Sequence, residues 1–478
     1  MASRCVWCYD LLAPAERILF RRLGVFVGGC TVEAAQAVCS IAGDVQLDAL
    51  EGLAALVDNS LLRQEDVAGE ARFWMLETIR EYALERLAQR GEATTVRQQH
   101  AAHYLALATA TARVPAGFDR LERDHDNLRA ALQWLIERGE AGQALRLATA
   151  LTGVWGIRGY LTEGRDRLAT VLALPEAQAS ATTRAAALDS AARLAFNQGD
   201  YAAVHRFYEE SLALWRGVGA AGRVAGVLRQ MGHLARERGE YATARALLTE
   251  SLQILRTTGD RREVGAALGY LGLVALQEGD YDRARTLLQE ALELYQQGQG
   301  EFGIALAGTR LGHVAHAEGK LTEARTRYEQ SLTTMRRWDD KRAVAMLLRN
   351  LAMVDVDEDR VAAAWSRFVE SAALVRHLHD QAGIAMLLDG LAGLAAGRAQ
   401  PARALRLAGA AAGLRESLGK SHPRNVREWL ERKLEPARRR LGAAATAAAW
   451  AEGRAMRPEQ AVAYALEAPA PATACAAD

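Results

Sequence analysis

From about residue 160 to 415 the apolar positions fall into blocks of helical period, and the blocks themselves return every 40 residues. In one unit Leu268, Leu271 and Ala275 precede the corner Gly279-Asp280-Tyr281, and Ala284, Leu288 and Ala291 follow it. Spacings of three and four place each set on one face of a helix. The corner recurs at Gly199-Asp200-Tyr201 and Gly239-Glu240-Tyr241, and Gly159-Tyr160-Leu161 is in the same phase. It weakens at Gly319-Lys320-Leu321 and Asp359-Arg360-Val361, and is faint at Ala399-Gln400-Pro401. Glycine ends the first helix in a left-handed cap and the acid caps the second, so each unit is a helical hairpin.

Small residues mark where the helices of a hairpin must approach closely. One column reads Ala244, Ala284, Ala324, Ala364, Ala404, and another Ser211, Ser251, Ala291, Ser331, Ser371, Ala411. A hairpin cannot bury its apolar face alone, so neighbours stack into a solenoid with one continuous core. A coiled coil would need unbroken heptads, which the corners interrupt. On Leu271, Gly272, Ala284 and Ala291 the unit resembles the tetratricopeptide repeat. The usual length there is about 34 residues. The longer form, with roughly 17 residues per helix as the 40-residue period implies, is similar to repeats in bacterial regulators related to the maltose-regulon activator.

Residues 9–90 follow another pattern. "PAERILFRRLGVF", "TVEAAQAVC" with Thr31 as cap, and "LDALEGLAALVD" predict three helices. "SLLRQE" and "RFWML" around a Gly-containing turn predict a hairpin, and "ETIREYALERLAQR" a further helix. That order describes a winged helix. "YDLL", "LFRRL-VF-GG-T", "LVD-SLL" and "ML-TIREYA", followed by Asp124–Leu132 and the tail Ala447–Glu467, resemble the bacterial signal-transduction ATPases with numerous domains. The fold class expected is therefore all-α: a tetratricopeptide-type α-solenoid with an N-terminal winged-helix domain carrying a small β-hairpin. The expected boundaries are a winged helix over 1–90, a helical connector over 91–158, repeats over 159–415, a helical cap over 416–467 and a flexible tail over 468–478.

In that family an ATPase precedes "YDLL", whereas eight residues do here. "LGKS" at 418–421 is the nearest approach to a phosphate loop, but Leu414 stands where the first glycine belongs. Related nucleotide-switch proteins carry Met-His-Asp at the start of the last winged-helix helix. Met75, Leu76 and Glu77 match here, and leucine cannot hydrogen-bond a diphosphate. The expectation is a chain lacking the ATPase.

Charge and cysteine narrow the chemistry. Lys+Arg 59 against Asp+Glu 58 gives net +1, so no global field draws the chain to nucleic acid or membrane. The third helix carries Asp48, Glu51 and Asp58, with no Lys or Arg from 44 to 62, which disfavours direct DNA binding. Cys5-x2-Cys8 has no second pair, and His313/His316 and His100/His103 have no third ligand at metal spacing. No run of about 18 uncharged apolar residues occurs, so the expectation is a cytoplasmic protein. No catalytic, cofactor or metal site is expected.

The first helix of each unit should line a concave groove. The residues placed there as partner-binding are Arg193, Arg229, His233, Arg236, Leu273, Leu276, His313, His316, Arg349 and Met353. The face shifts from cationic to apolar to His-rich to Met-bearing, which suits an extended acidic-apolar segment. Gln277 is placed on the same open face. The function expected is a non-catalytic regulatory module that binds a protein or peptide, such as a separately encoded ATPase or regulator. A small-molecule effector is the other ligand class. The alternatives are a DNA-binding regulator acting through the winged helix and the remnant of a nucleotide-switched regulator.

Overall fold

The computed structural model describes residues 9–41, 48–111, 115–175, 180–298 and 300–467, and the chain divides into two compact units, Met1–Gln198 and Gly199–Asp478. Cys5, Cys8 and the tail 468–478 lie outside the described residues. The described chain is all-α except for one two-stranded sheet, as the periodicities predict.

The first unit opens with α1 (Pro14–Leu23), α2 (Val32–Cys39) and α3 (Ala49–Asp58), then strands β1 (Arg63–Val67) and β2 (Glu70–Trp74), then α4 (Glu77–Gln89). Pro14 stands at the first position of α1, and the Thr31 hydroxyl accepts from the Ala34 N–H to cap α2. The strands pair antiparallel, with Arg63 opposite Trp74 and Glu65 opposite Arg72. Leu19, Phe20, Ala35, Leu53, Leu56, Ala83 and Leu87 are fully buried and form the centre of this winged helix. The unit continues through α5 (Ala93–Thr111), α6 (Pro115–Arg123), α7 (His125–Glu137), α8 (Ala141–Arg158), α9 (Leu161–Leu172) and α10 (Ala181–Asn197).

Asn127 on α7 fastens the winged helix to these helices. Its Oδ1 accepts from the Val27 N–H at 2.8 Å and its Nδ2 donates to the Gly29 carbonyl at 2.9 Å. Beside it Arg72 and Asp124 form a buried ion pair at 2.8 Å. The "GG-T" and Asp124–Leu132 stretches, far apart in sequence, therefore close one joint.

The second unit contains α11 (Tyr201–Gly217), α12 (Ala221–Glu237), α13 (Tyr241–Thr258), α14 (Arg261–Glu278), α15 (Tyr281–Gln297), α16 (Glu301–Ala317) and α17 (Leu321–Arg337). It ends with α18 (Lys341–Asp357), α19 (Val361–His377), α20 (Gln381–Gly397), α21 (Pro401–Ser417), α22 (Arg424–Arg454) and α23 (Pro458–Leu466). From α12 to α21 the even-numbered helices are the first of each hairpin. Ala244, Ala284, Ala324, Ala364 and Ala404 are each 0% exposed. Glycines stand opposite Ala244 and Ala284: a Cβ on Gly272 would meet Leu288 at 2.6 Å, and one on Gly232 would meet Leu248 at 2.7 Å. The serine column has a second use. Ser251, Ser331 and Ser371 donate to the carbonyls of Ala225, Ala305 and Ala345 at 2.7, 2.8 and 2.8 Å, tying both helices of one hairpin together.

The corners are less uniform than expected. Gly199, Gly239, Gly279 and Gly319 have positive φ, but Asp359 and Ala399 adopt the same conformation with φ of 57° and 55°. An acid caps the second helix only where it is Asp. Asp200 accepts from the Ala203 N–H and Asp280 from the Arg283 N–H, while Glu240 makes no such side-chain bond. Glutamate's extra methylene moves the carboxylate past the N–H groups it would cap.

Candidate functional site

Within the second unit the first helices of the hairpins form one face, and the chain itself covers part of it. After α21 the backbone turns back, and residues 420–434 run along the C-terminal ends of α12, α14, α18 and α20. Ser421 donates both its N–H and its hydroxyl to the Glu237 carbonyl at 2.9 Å, and Lys420 pairs with the Glu237 carboxylate at 3.1 Å. One turn on, the Gln277 amide accepts from the Arg424 N–H and donates to Asn425, while the Arg424 guanidinium donates to the Glu278 carbonyl at 2.6 Å. Trp429 then packs on Gly393, where a Cβ would meet the ring at 2.3 Å, and its Nε1 donates to both Asp357 oxygens at 2.9 and 3.0 Å. Lys433 adds an ion pair to Asp357 at 2.8 Å. Val426, Leu430 and Leu434 are buried with Met353, Leu391 and Leu394. This segment is a strap across the repeats.

The strap changes the standing of several sequence-placed residues. Met353, at 4% exposed, and Leu276, at 1%, belong to the core. Arg349 is 9% exposed and donates to its neighbour Asn350 at 3.1 Å. Gln277, expected on an open face, is 5% exposed beneath Arg424. Their helical phase is as read from the sequence, but the strap and the next repeat cover them. His316 donates to Asp357 at 2.7 Å, and His313 accepts from the Asn350 amide at 2.9 Å. Both histidines therefore have partners in the adjacent repeat.

Toward α12 and α14 the face is more open. Arg229, His233, Arg236 and Leu273 are partly exposed. Arg229 pairs with Glu263 at 3.0 Å, Arg236 with Glu237, and the His233 ring lies 4.7 Å from that of Tyr270. Burial holds His233 down to about 4 and His313 to about 3, so both are neutral near pH 7. Burial also pushes the Glu237 carboxyl up, but Arg236, His233 and Lys420 outweigh it and hold the group well below its usual range. Arg193 sits exposed on α10 of the other unit.

One residue on this face was not foreseen. Arg310 on α16 is 5% exposed and its guanidinium lies 4.7 Å from the Tyr270 ring centre. It occupies the same register column as Tyr270 and Asn350, one step beside the column read as groove-lining. That neighbouring column reads Gln230, Tyr270, Arg310, Asn350 and Gly390, so Arg310 is its one charged member. In the winged helix, α3 presents Leu50, Glu51, Ala54 and Asp58 to solvent. Cys30 and Cys39 are buried free thiols, and burial pushes Cys30 up to about 12.

A tetratricopeptide repeat model matches residues 223–297, and a winged helix-turn-helix domain model matches residues 12–88. The chain thus carries both a winged helix and tetratricopeptide repeats. A Mycobacterium tuberculosis protein named as an HTH-type transcriptional regulator is 41% identical over 172 residues, 35% of this chain and 19% of its own length. An uncharacterized protein of the same organism is 38% identical over 98 residues, 20% of this chain and 25% of its own. The matches span about a fifth to a quarter of these relatives' length. Among solved structures, a signal transduction ATPase with numerous domains and a tetratricopeptide repeat sensor, from Pyrococcus horikoshii, aligns over 78% of this chain and 62% of its own, with TM-score 0.44 and 14% identity. A Rap protein complexed with competence and sporulation factor aligns over 74% of this chain and 99% of its own, with TM-score 0.47 and 14% identity. The expectation that direct DNA contact is disfavoured draws no support from relatives bearing an HTH name. No described helix is long and apolar enough to cross a membrane.

Proposed function

We propose that the chain is a non-catalytic regulatory module whose repeats take a protein or peptide partner on the first-helix face of the second unit. The observation that carries this reading is the composition of the uncovered part of that face. Arg229, His233, Leu273 and Tyr270 sit together, half-buried, where a purely solvated surface would carry mixed Glu and Arg. Aromatic and arginine side chains held partly out of water are the type that anchors a partner. The strap leaves this part open while closing the ends of the same helices. A charge at its centre tests the reading. Leu273→Asp, with unchanged helical content, should bind the partner that co-purifies with the native chain at least tenfold more weakly. Unchanged affinity would remove the face as the site. The partner classes this fits include a separately encoded ATPase or regulator.

A second reading is direct DNA contact through the winged helix, favoured by the helix-turn-helix domain match and the naming of the mycobacterial relatives. Against it stands the acidic and apolar exposed face of α3. Binding to duplex DNA that weakens steeply with salt would favour this reading over the first.

A further inference from the structure

Arg310 is a buried cation without a counter-charge. Among the described residues it has no ion pair, and its Nε has no hydrogen-bond partner. The carboxylates that pair with its neighbours Arg229 and Arg236 are already shared. Glu263 pairs with Arg229 at 3.0 Å and Arg262 at 3.1 Å; Glu237 pairs with Arg236 and with Lys420 at 3.1 Å. Neither is left for Arg310. The Nε atoms of Arg229 and Arg236 are likewise buried without partners.

The surroundings hold the guanidinium in place instead of neutralising it. Tyr270 covers one face, and Gly269 makes room: a Cβ there would meet Nη1 at 1.8 Å. A cation–π contact recovers only part of the hydration lost by a buried charge. Burial pulls the group below its usual range and repulsion from Arg236 and Arg229 works the same way, while Tyr270 and Tyr295 oppose them. Even so, a guanidinium stays protonated at neutral pH. A planar fork held on an aromatic ring, with two further arginines beside it, is arranged for bidentate contact with an oxyanion.

We infer that Arg310, with Arg229 and Arg236, forms an oxyanion site for a carboxylate or phosphoryl group of the ligand bound on this face. The inference rests on the partner reading above and adds the chemistry of the group recognised.

Calorimetric titration of the full chain with glutarate, and separately with inorganic phosphate, tests it against sodium chloride of matched ionic strength. One of the two anions should bind at a single site with a Kd below about 1 mM, the weak end of the affinity scale. Saturation by glutarate alone assigns a peptide carboxylate, and saturation by phosphate alone a phosphoryl group. Arg310→Gln should weaken that binding at least tenfold. Arg236→Gln, at the rim of the cluster, provides the same reading if the first variant loses helical content. Heats equal to those of chloride, or an affinity unchanged in a folded Arg310→Gln protein, would overturn the inference. A partner lost in Leu273→Asp but without any anion site would sink only this inference. Anion binding with no effect of Leu273→Asp on the partner would sink only the partner reading.

Discussion

Replacing Trp429 by alanine removes the largest anchor of the strap. The side chain is 3% exposed, packs against Gly393 and donates to both oxygens of Asp357. Truncating a buried aromatic costs about 3–5 kcal/mol, the upper part applying where the site cannot collapse. Gly393 has no side chain to fill the space, which argues for the upper part. A hydrogen bond to a charged group contributes about 1.5–3 kcal/mol net to stability. Asp357 keeps His316 at 2.7 Å and Lys433 at 2.8 Å, so little of that is lost twice. We expect a loss of about 4 kcal/mol, within the range for a buried aromatic. In a stacked array the loss should be local at first, opening residues 420–434 before the hairpins separate. Native-state hydrogen exchange would then show the strap amides, including Ser421, losing protection while those of α16 change little. Trp429→Phe, which keeps most of the packing, should cost about 1–2 kcal/mol for the missing N–H. Unchanged strap protection in Trp429→Ala would refute the claim that the strap is a packed part of the fold.

Two other outcomes follow from the packing and the titrating groups. Gly272→Ala forces a methyl against Leu288 at 2.6 Å and should destabilise the second unit by about 1–3 kcal/mol, whereas Gly226→Ala, where a Cβ meets nothing, should not; urea unfolding of both variants checks this. His100 in the first unit is held to about 4 by burial, against an ordinary value near 6.5, so the unfolded chain binds the extra proton between those values. Stability is therefore full above about pH 6.5 and falls as pH drops toward 4, by on the order of 3 kcal/mol at about 1.36 kcal/mol per unit. His100→Gln should flatten that part of the pH profile for the first unit, and an unaltered profile would show that His100 does not cause it.

The repeat was legible because its determinants are local and periodic. Ala284 and Gly272 announce a close helix pair by their size alone, and Ser331 stands in a column whose position is fixed by the 40-residue step. The winged helix was legible for the same reason, through Pro14 and Thr31 at helix starts. The strap was not legible. Gln277 and Arg424 meet across 147 residues, and nothing in the helical period of α22 says which surface it will cover. That one long-range packing event took Gln277 and Met353 into the interior. Arg310 escaped notice for a related reason: its setting is made by Tyr270 and Gly269 of the preceding repeat, so it exists only after stacking.

A photo-crosslinking amino acid placed singly at Leu273 and His233, on the open part of the first-helix face, and at Thr249 and Gln289, exposed on second helices, tests the central claim most directly. On irradiation in cells, positions 273 and 233 should form one defined adduct with the same polypeptide, and positions 249 and 289 should not. Adducts confined to 249 and 289, or formed only from the winged helix, would contradict the account.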